Sequence, residues 1–188
     1  MEPPRTFSIA GIAGSLRKGS FNRALLAAAQ ELSPPSLAIR SFDLREVPLY
    51  DADVEAAGAP AAVASLREGV RASDGILFAT PEYNHGVPGV LKNAVDWLSR
   101  PPRASALDGK PVGIVGASAG MWGTARGQAQ LRQAFVFTNS FAMPQPEVLV
   151  ARAAEKFDAD GKLVDAATRD HLAKFLGAFA EWVARFVR

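Results

Sequence analysis

Apolar residues in this chain fall into short unbroken runs separated by stretches with helical spacing. Phe7–Ala13 reads as a strand, residues 14–20 as a loop, and the following segment as a helix, with Phe21, Leu25, Ala28 and Leu32 recurring on one face. Ser33-Pro34-Pro35 ends that helix, because proline lacks a donor and pushes its predecessor out of the α region, and Leu37–Phe42 reads as a second strand. Residues 43–60 carry polar and turn-forming positions such as Asp51, Asp53 and Gly58, and are expected to be a mobile surface excursion. Residues 61–71 return to a helical pattern through Val63, Leu66 and Val70, and Gly75–Ala79 is continuously apolar, as suits a strand buried on both faces.

The same alternation continues to the end of the chain. A loop at residues 80–89 precedes a helix carrying Leu91, Val95 and Leu98, and residues 112–117 repeat the buried-strand pattern. A loop at 116–123, a helix over Ala125–Phe137 and a last strand within 141–150 follow. Leu172, Phe175, Leu176, Phe179, Trp182, Val183 and Phe186 then form one helical stripe that should pack on the sheet. Strands alternating with helices predict a doubly wound α/β fold, a parallel sheet with helices on both faces, in a single domain over residues 1–188.

Composition narrows the chemistry. With 188 residues, 48% hydrophobic and 21% charged, the chain can bury a core. The absence of cysteine removes thiolate, disulfide, iron–sulfur and cysteine–zinc chemistry, so any redox activity must come from a bound cofactor. His85 and His171 are far apart and outside any HExxH frame, so no metal centre is expected. A net charge of +2 spread along the chain argues against nucleic-acid partners. No stretch approaches the ~20 apolar residues of a membrane span, and the polar, proline-bearing start is unlike an export signal. A cytoplasmic location without membrane contact is expected.

In a sheet of this kind ligands bind beyond the carboxyl ends of the strands, where the winding reverses. The first loop places Gly14 and Gly19 at the spacing of a nucleotide-triphosphate loop but lacks its lysine, and Gly11, Gly14 and Gly19 do not form a GxGxxG cradle. A receiver-type acidic cluster fails because Ser15 and Arg17 stand where carboxylates are needed. Ser15, Arg17, Ser20 and Asn22 before a helix N-terminus suit a single terminal phosphate; the alternative is that Ser20 only caps the helix and Arg17 is solvated.

Gly14-Ser15-Leu16-Arg17-x-x-Ser20-x-Asn22, together with Pro81-Glu82-Tyr83-Asn84-x-x-x-Pro88-Gly89-x-Leu91-Lys92-Asn93-Ala94-x-Asp96-Trp97, resembles the NADPH-dependent FMN reductase family, which includes quinone-, azo- and chromate-reducing members. The resemblance implies a flavodoxin-like sheet of five strands and noncovalent FMN, with Ser15, Leu16, Arg17, Ser20 and Asn22 near its phosphate. It sets Pro81, Glu82, Tyr83 and Asn84 beside the isoalloxazine, and Ser118 and Gly120 of the third loop near the flavin. It further implies NADPH or NADH as reductant, a small-molecule electron acceptor, ping-pong turnover and a homodimer or homotetramer. The alternatives are a flavodoxin-type one-electron carrier, which the sequence pI near 9.1 disfavours, and a flavin-binding regulatory module.

Six other positions carry expectations of their own. His85 reads as a surface loop histidine, and His171 as structural or solvated. Trp97 and Trp122 read as interface aromatics, and Arg126 with Glu147 as an ion pair between subunits.

Overall fold

The innermost strands of the sheet are the ones with the longest apolar runs. The computed structural model describes residues 5–102 and 104–187; residues 1–4, part of the start weighed above for an export signal, lie outside them. Strands β1 (Phe7–Ala13), β2 (Leu37–Phe42), β3 (Gly75–Ala79) and β4 (Pro111–Ala117) match the apolar runs, and all pairings are parallel. The strand order β2-β1-β3-β4 is completed on the far side by β5 (Phe141–Ala142) and β6 (Val148–Val150), which both pair with β4. Every residue of β3 and β4 is buried, whereas β2 at the edge is partly exposed.

The single last strand expected within 141–150 is therefore two short pieces occupying one sheet position. Pro144 and Pro146 lie between them and cannot donate to the ladder, so the pairing with β4 lapses and resumes.

Helices cover both faces. On one, α1 (Phe21–Glu31) and α6 (Ala166–Ala184) bury Leu25, Leu26, Leu172, Phe175, Leu176, Phe179 and Val183 against Ile9, Leu77 and Val115. On the other, α3 (Ala61–Ala72), α4 (Gly89–Leu98) and α5 (Ala125–Phe137) pack Leu66, Val70, Leu91, Val95, Leu131 and Phe135 onto Ile12, Ile76, Phe78 and Ile114. Each fully buried Leu or Phe contributes about 1.5–3 kcal/mol of transfer free energy. The C-terminal stripe is less uniform than its spacing suggests. Trp182 is half-buried and Phe186 lies beyond the helix; their rings meet at 5.2 Å, Phe186 stacks on Phe141 at 4.7 Å, and Trp182 Nε1 donates to the Phe141 carbonyl.

Residues 43–60 are not a free excursion. They contain a short helix, α2 (Ala52–Ala57), capped by Asp51. The segment is tied down by α4: Asn93 accepts the Tyr50 N–H and donates to the Pro48 carbonyl, and Trp97 Nε1 donates to the same carbonyl, each at 2.8 Å. Arg67 of α3 pairs with Glu55 at 3.1 Å and donates through Nε to the Trp97 carbonyl. Trp97 is thus fully buried within its own chain rather than at an interface, edge-on to Tyr50.

Candidate functional site

The winding reverses between β1 and β3, and the loops after β1, β3 and β4 meet there. Each begins by donating to the next strand's end: Gly14 N–H to the Ala79 carbonyl, Thr80 N–H to Val115, and Ser118 N–H to Val150. The loops therefore inherit their spacing from the sheet. Between them lies a cleft of about 250 Å³ lined by Ser15, Arg17, Ser20, Phe21, Asn22, Pro81, Glu82, Tyr83, Ala117, Ser118 and Ala119.

At one end of the cleft the first loop turns into α1. Ser20 caps that helix, its Oγ accepting from the N–H groups of Asn22 and Arg23. Among the described residues, the backbone N–H groups from Leu16 to Gly19 find no protein acceptor. Arg17 reaches over the ring of Phe21, its guanidinium carbon 5.6 Å from the centroid, and stays exposed. Gly14 is compact by necessity, since a Cβ there would stand 3.0 Å from Leu91 and 3.3 Å from Pro81. Hydroxyl, guanidinium and free N–H groups without a carboxylate make a donor set fitted to a phosphate.

Asn22 has a structural task as well. Its Nδ2 donates to the Ala117 carbonyl and its Oδ1 accepts the Ala117 N–H, both at 2.8 Å. These two bonds join the start of α1 to the end of β4, and Asn22 also lines the cleft. Leu16 lies outside the cleft wall and is 41% exposed.

The second wall is the turn after β3. Tyr83 and Gly86 exchange two backbone hydrogen bonds across Asn84 and His85, which have φ of 52° and 61°. Positive φ at both central residues marks a type I′ turn. Tyr83 is 52% exposed, so its ring is open to solvent at the cleft; Asn84 and His85 lie outside the lining, His85 as the surface histidine expected. Glu82 points away from solvent into α5, where Oε2 accepts the N–H groups of Arg126 and Gly127 at 2.9 Å each. Gln130 of α5 accepts the Val87 N–H at 2.6 Å.

The third wall, Ala117 to Ala119, is pinned by Ser118, whose Oγ accepts the Gly120 N–H and whose carbonyl accepts from Ala153. Gly120 itself stands outside the lining and accepts from Arg152. Beyond it, Met121 and Trp122 are exposed, with Arg126 over the Trp122 ring at 5.4 Å. Arg126 lies 4.0 Å from Glu82 in the same chain; Glu147 is exposed, and its carbonyl meets His171 Nε2.

Sequence reasoning did not find Phe21 as cleft lining, nor the part of α5 in holding the turn. Phe21 carried the signal of a core helix position, and Gln130 an ordinary helix-surface signal. A parallel sheet wound both ways, with a phosphate-type donor set at its switch point and an aromatic residue across the cleft, defines a flavodoxin-like α/β protein built for a phosphate-bearing planar cofactor.

Comparison with known proteins agrees. The family described as NADPH-dependent FMN reductase matches residues 7–155, and the chain belongs to that family. It is 49% identical over 177 residues to an NAD(P)H-dependent FMN reductase of Pseudomonas aeruginosa, covering 94% of this chain and 95% of that one. It is 45% identical over 179 residues to a quinone reductase of Pseudomonas putida, covering 95% and 96%. Among solved structures, the flavoenzyme NAD(P)H:(acceptor) oxidoreductase FerB of Paracoccus denitrificans superposes with a TM-score of 0.89 at 35% identity, covering 96% and 99%. The protein is therefore a flavin-dependent oxidoreductase whose cofactor is FMN and whose reductant is a nicotinamide dinucleotide. Among the described residues no helix is long and apolar enough to cross a membrane.

Proposed function

We propose that this protein is an NAD(P)H-dependent quinone reductase, in which nicotinamide and acceptor use the same cleft in turn. The observation that carries this reading is the polarity of the cleft: phosphate donors at the α1 end, and at the other end an open wall of Tyr83, Ala117, Ser118 and Ala119 with little charge. FMN held there supplies a hydride acceptor that is also a hydride donor. The overall reaction balances as NAD(P)H, one proton and a quinone giving NAD(P)⁺ and a hydroquinone.

The protein's part is to bind and orient. Ser15, Arg17 and the N–H groups from Leu16 to Gly19 hold the phosphate, while Ser20 and Asn22 fix the loop that presents them. The turn after β3 and residues 117–119 border the ring, with Tyr83 as the aromatic neighbour. Glu82, the carboxylate in the cleft wall, is already bonded to two backbone amides, so no side chain is set aside as acid or base, and the product's protons come from water at the open mouth.

An open face of this kind discriminates little among electron-poor acceptors, so azo compounds, chromate and free flavin are acceptors to test beside quinones. Exposed Trp122, Val136 and Phe137 support assembly into a homodimer or homotetramer, which light scattering after size exclusion measures. The test of the reading is initial-rate kinetics with NADPH or NADH against benzoquinone. Parallel double-reciprocal lines are expected; intersecting lines would show both substrates bound together and overturn the shared cleft.

A further inference from the structure

Glu82 belongs to the segment that borders the cleft, yet its carboxylate is spent elsewhere. Its side chain is only 8% exposed, and Oε2 receives the Arg126 and Gly127 N–H groups 44 and 45 residues away. Those are first-turn amides of α5, a helix whose own N-cap, Thr124, makes no side-chain capping bond. A carboxylate there satisfies orphan donors and faces the positive end of the helix dipole.

Four residues further along α5, Gln130 makes the second attachment by accepting the Val87 N–H just past the turn. Two glycines allow this close seating. A Cβ on Gly127 would stand 3.2 Å from the Gly86 carbonyl oxygen, and a Cβ on Gly86 would stand 2.6 Å from Gln130 Oε1. The turn between the two attachments holds Asn84 and His85 in left-handed backbone, a conformation that persists only when its surroundings impose it.

We propose that Glu82 is a positioning residue rather than a flavin contact, and that Glu82 and Gln130 form a two-point latch that seats residues 83–86 on α5. The latch fixes the Tyr83 side of the cleft before any ligand arrives. Its effect on FMN rests on the flavin reading above; its effect on the turn does not. Preorganisation of this kind lowers the ordering cost of binding, so a loosened turn should release FMN faster.

The test compares Glu82→Ala, Glu82→Gln and Gln130→Ala by amide hydrogen exchange in the FMN-free protein and by fluorescence titration with FMN. Glu82→Ala should speed exchange at Arg126 and Gly127 and weaken FMN binding, each by roughly two- to thirtyfold, the range of a lost helix cap. Glu82→Gln, which keeps a carbonyl oxygen for the same amides, should restore most of both. Gln130→Ala, outside the cleft lining, should speed exchange at Val87 and weaken FMN severalfold.

Equal loss of FMN in Glu82→Gln and Glu82→Ala with exchange unchanged would overturn the latch and make Glu82 a direct charge contact. So would a Gln130→Ala protein with wild-type exchange at Val87. If Glu82→Ala does not fold, the other two variants decide. Wild-type protein that takes up no FMN would sink the flavin reading, and exchange in the FMN-free variants would still decide the latch.

Discussion

Asn22 and Ala117, 95 residues apart, hold each other by two hydrogen bonds: the Asn22 amide donates to the Ala117 carbonyl and accepts the Ala117 N–H, both at 2.8 Å. Asn22 is 3% exposed, so neither group of Ala117 has water as a substitute. Asn22→Ala should therefore cost about 2–6 kcal/mol, the sum of two buried backbone groups left unsatisfied. Urea unfolding of the FMN-free protein checks this: the midpoint falls while the slope is unchanged. A loss under about 0.5 kcal/mol, the scale of an ordinary surface substitution, would show that the clamp does not bear on stability.

Arg17 should behave in the opposite way. It is exposed, with its guanidinium over the Phe21 ring, so Arg17→Ala should leave stability within about 1 kcal/mol. FMN affinity should drop by about 1.5–3 kcal/mol, roughly ten- to 150-fold, through loss of a charge-assisted phosphate contact. An unchanged FMN dissociation constant would remove Arg17 from the phosphate site.

Gly116 is a position where side-chain volume, not backbone angle, decides. A Cβ there would fall 2.0 Å from Thr124 Oγ1 and 2.5 Å from the Thr80 carbonyl oxygen, atoms of two elements that flank the cleft. Thr124 is fully buried and accepts from Gln128, so it has little room to yield. Gly116→Ala should destabilise by about 1–3 kcal/mol, the usual cost of overpacking. At roughly 2–4 °C per kcal/mol for a chain of this length, thermal unfolding resolves it. A melting temperature equal to wild type would mean that the three loops are less tightly packed than their contacts indicate.

Much of this frame was legible in the sequence, and the reason is local. The bounds of β1, β2, β3 and α5 could be read directly, because apolar runs and helical spacing report burial within the element itself. Ser15, Arg17 and Ser20 of the cleft lining could be singled out because hydroxyl and arginine side chains cluster before a helix start. What escaped is long-range. Asn22 as a clamp, Glu82 as a cap for a helix 44 residues on, and Asn93 and Trp97 as anchors for Pro48 and Tyr50 depend on partners with no periodic relation to them. The divided last strand also escaped, since its apolar ends read as one run across the prolines that interrupt the ladder.

Acid should expose another capping interaction. Asp165, the N-cap of α6, receives hydrogen bonds from Thr168 and pairs with Lys156 at 3.0 Å, which lowers its carboxyl from the ordinary 3.8 to about 2. A depressed pKa stabilises the fold at pH values above the unfolded-state value and loses that contribution as pH falls through the folded one. Relative to Asp165→Asn, the wild type should keep a constant advantage above pH about 4 and lose it between about 4 and 2. Unfolding midpoints measured across that range check it, and a difference independent of pH would show that the carboxylate charge plays no part.

The most direct test of the central claim is the visible absorption spectrum of the protein reconstituted with FMN, followed without oxygen as NADPH or NADH and then benzoquinone are added. Flavin bands that stay with the protein through gel filtration, bleach with the nicotinamide and return with the quinone are the predicted result. Protein that retains no flavin, or retained flavin that neither nicotinamide bleaches, would contradict the assignment of the cleft and the reaction built on it.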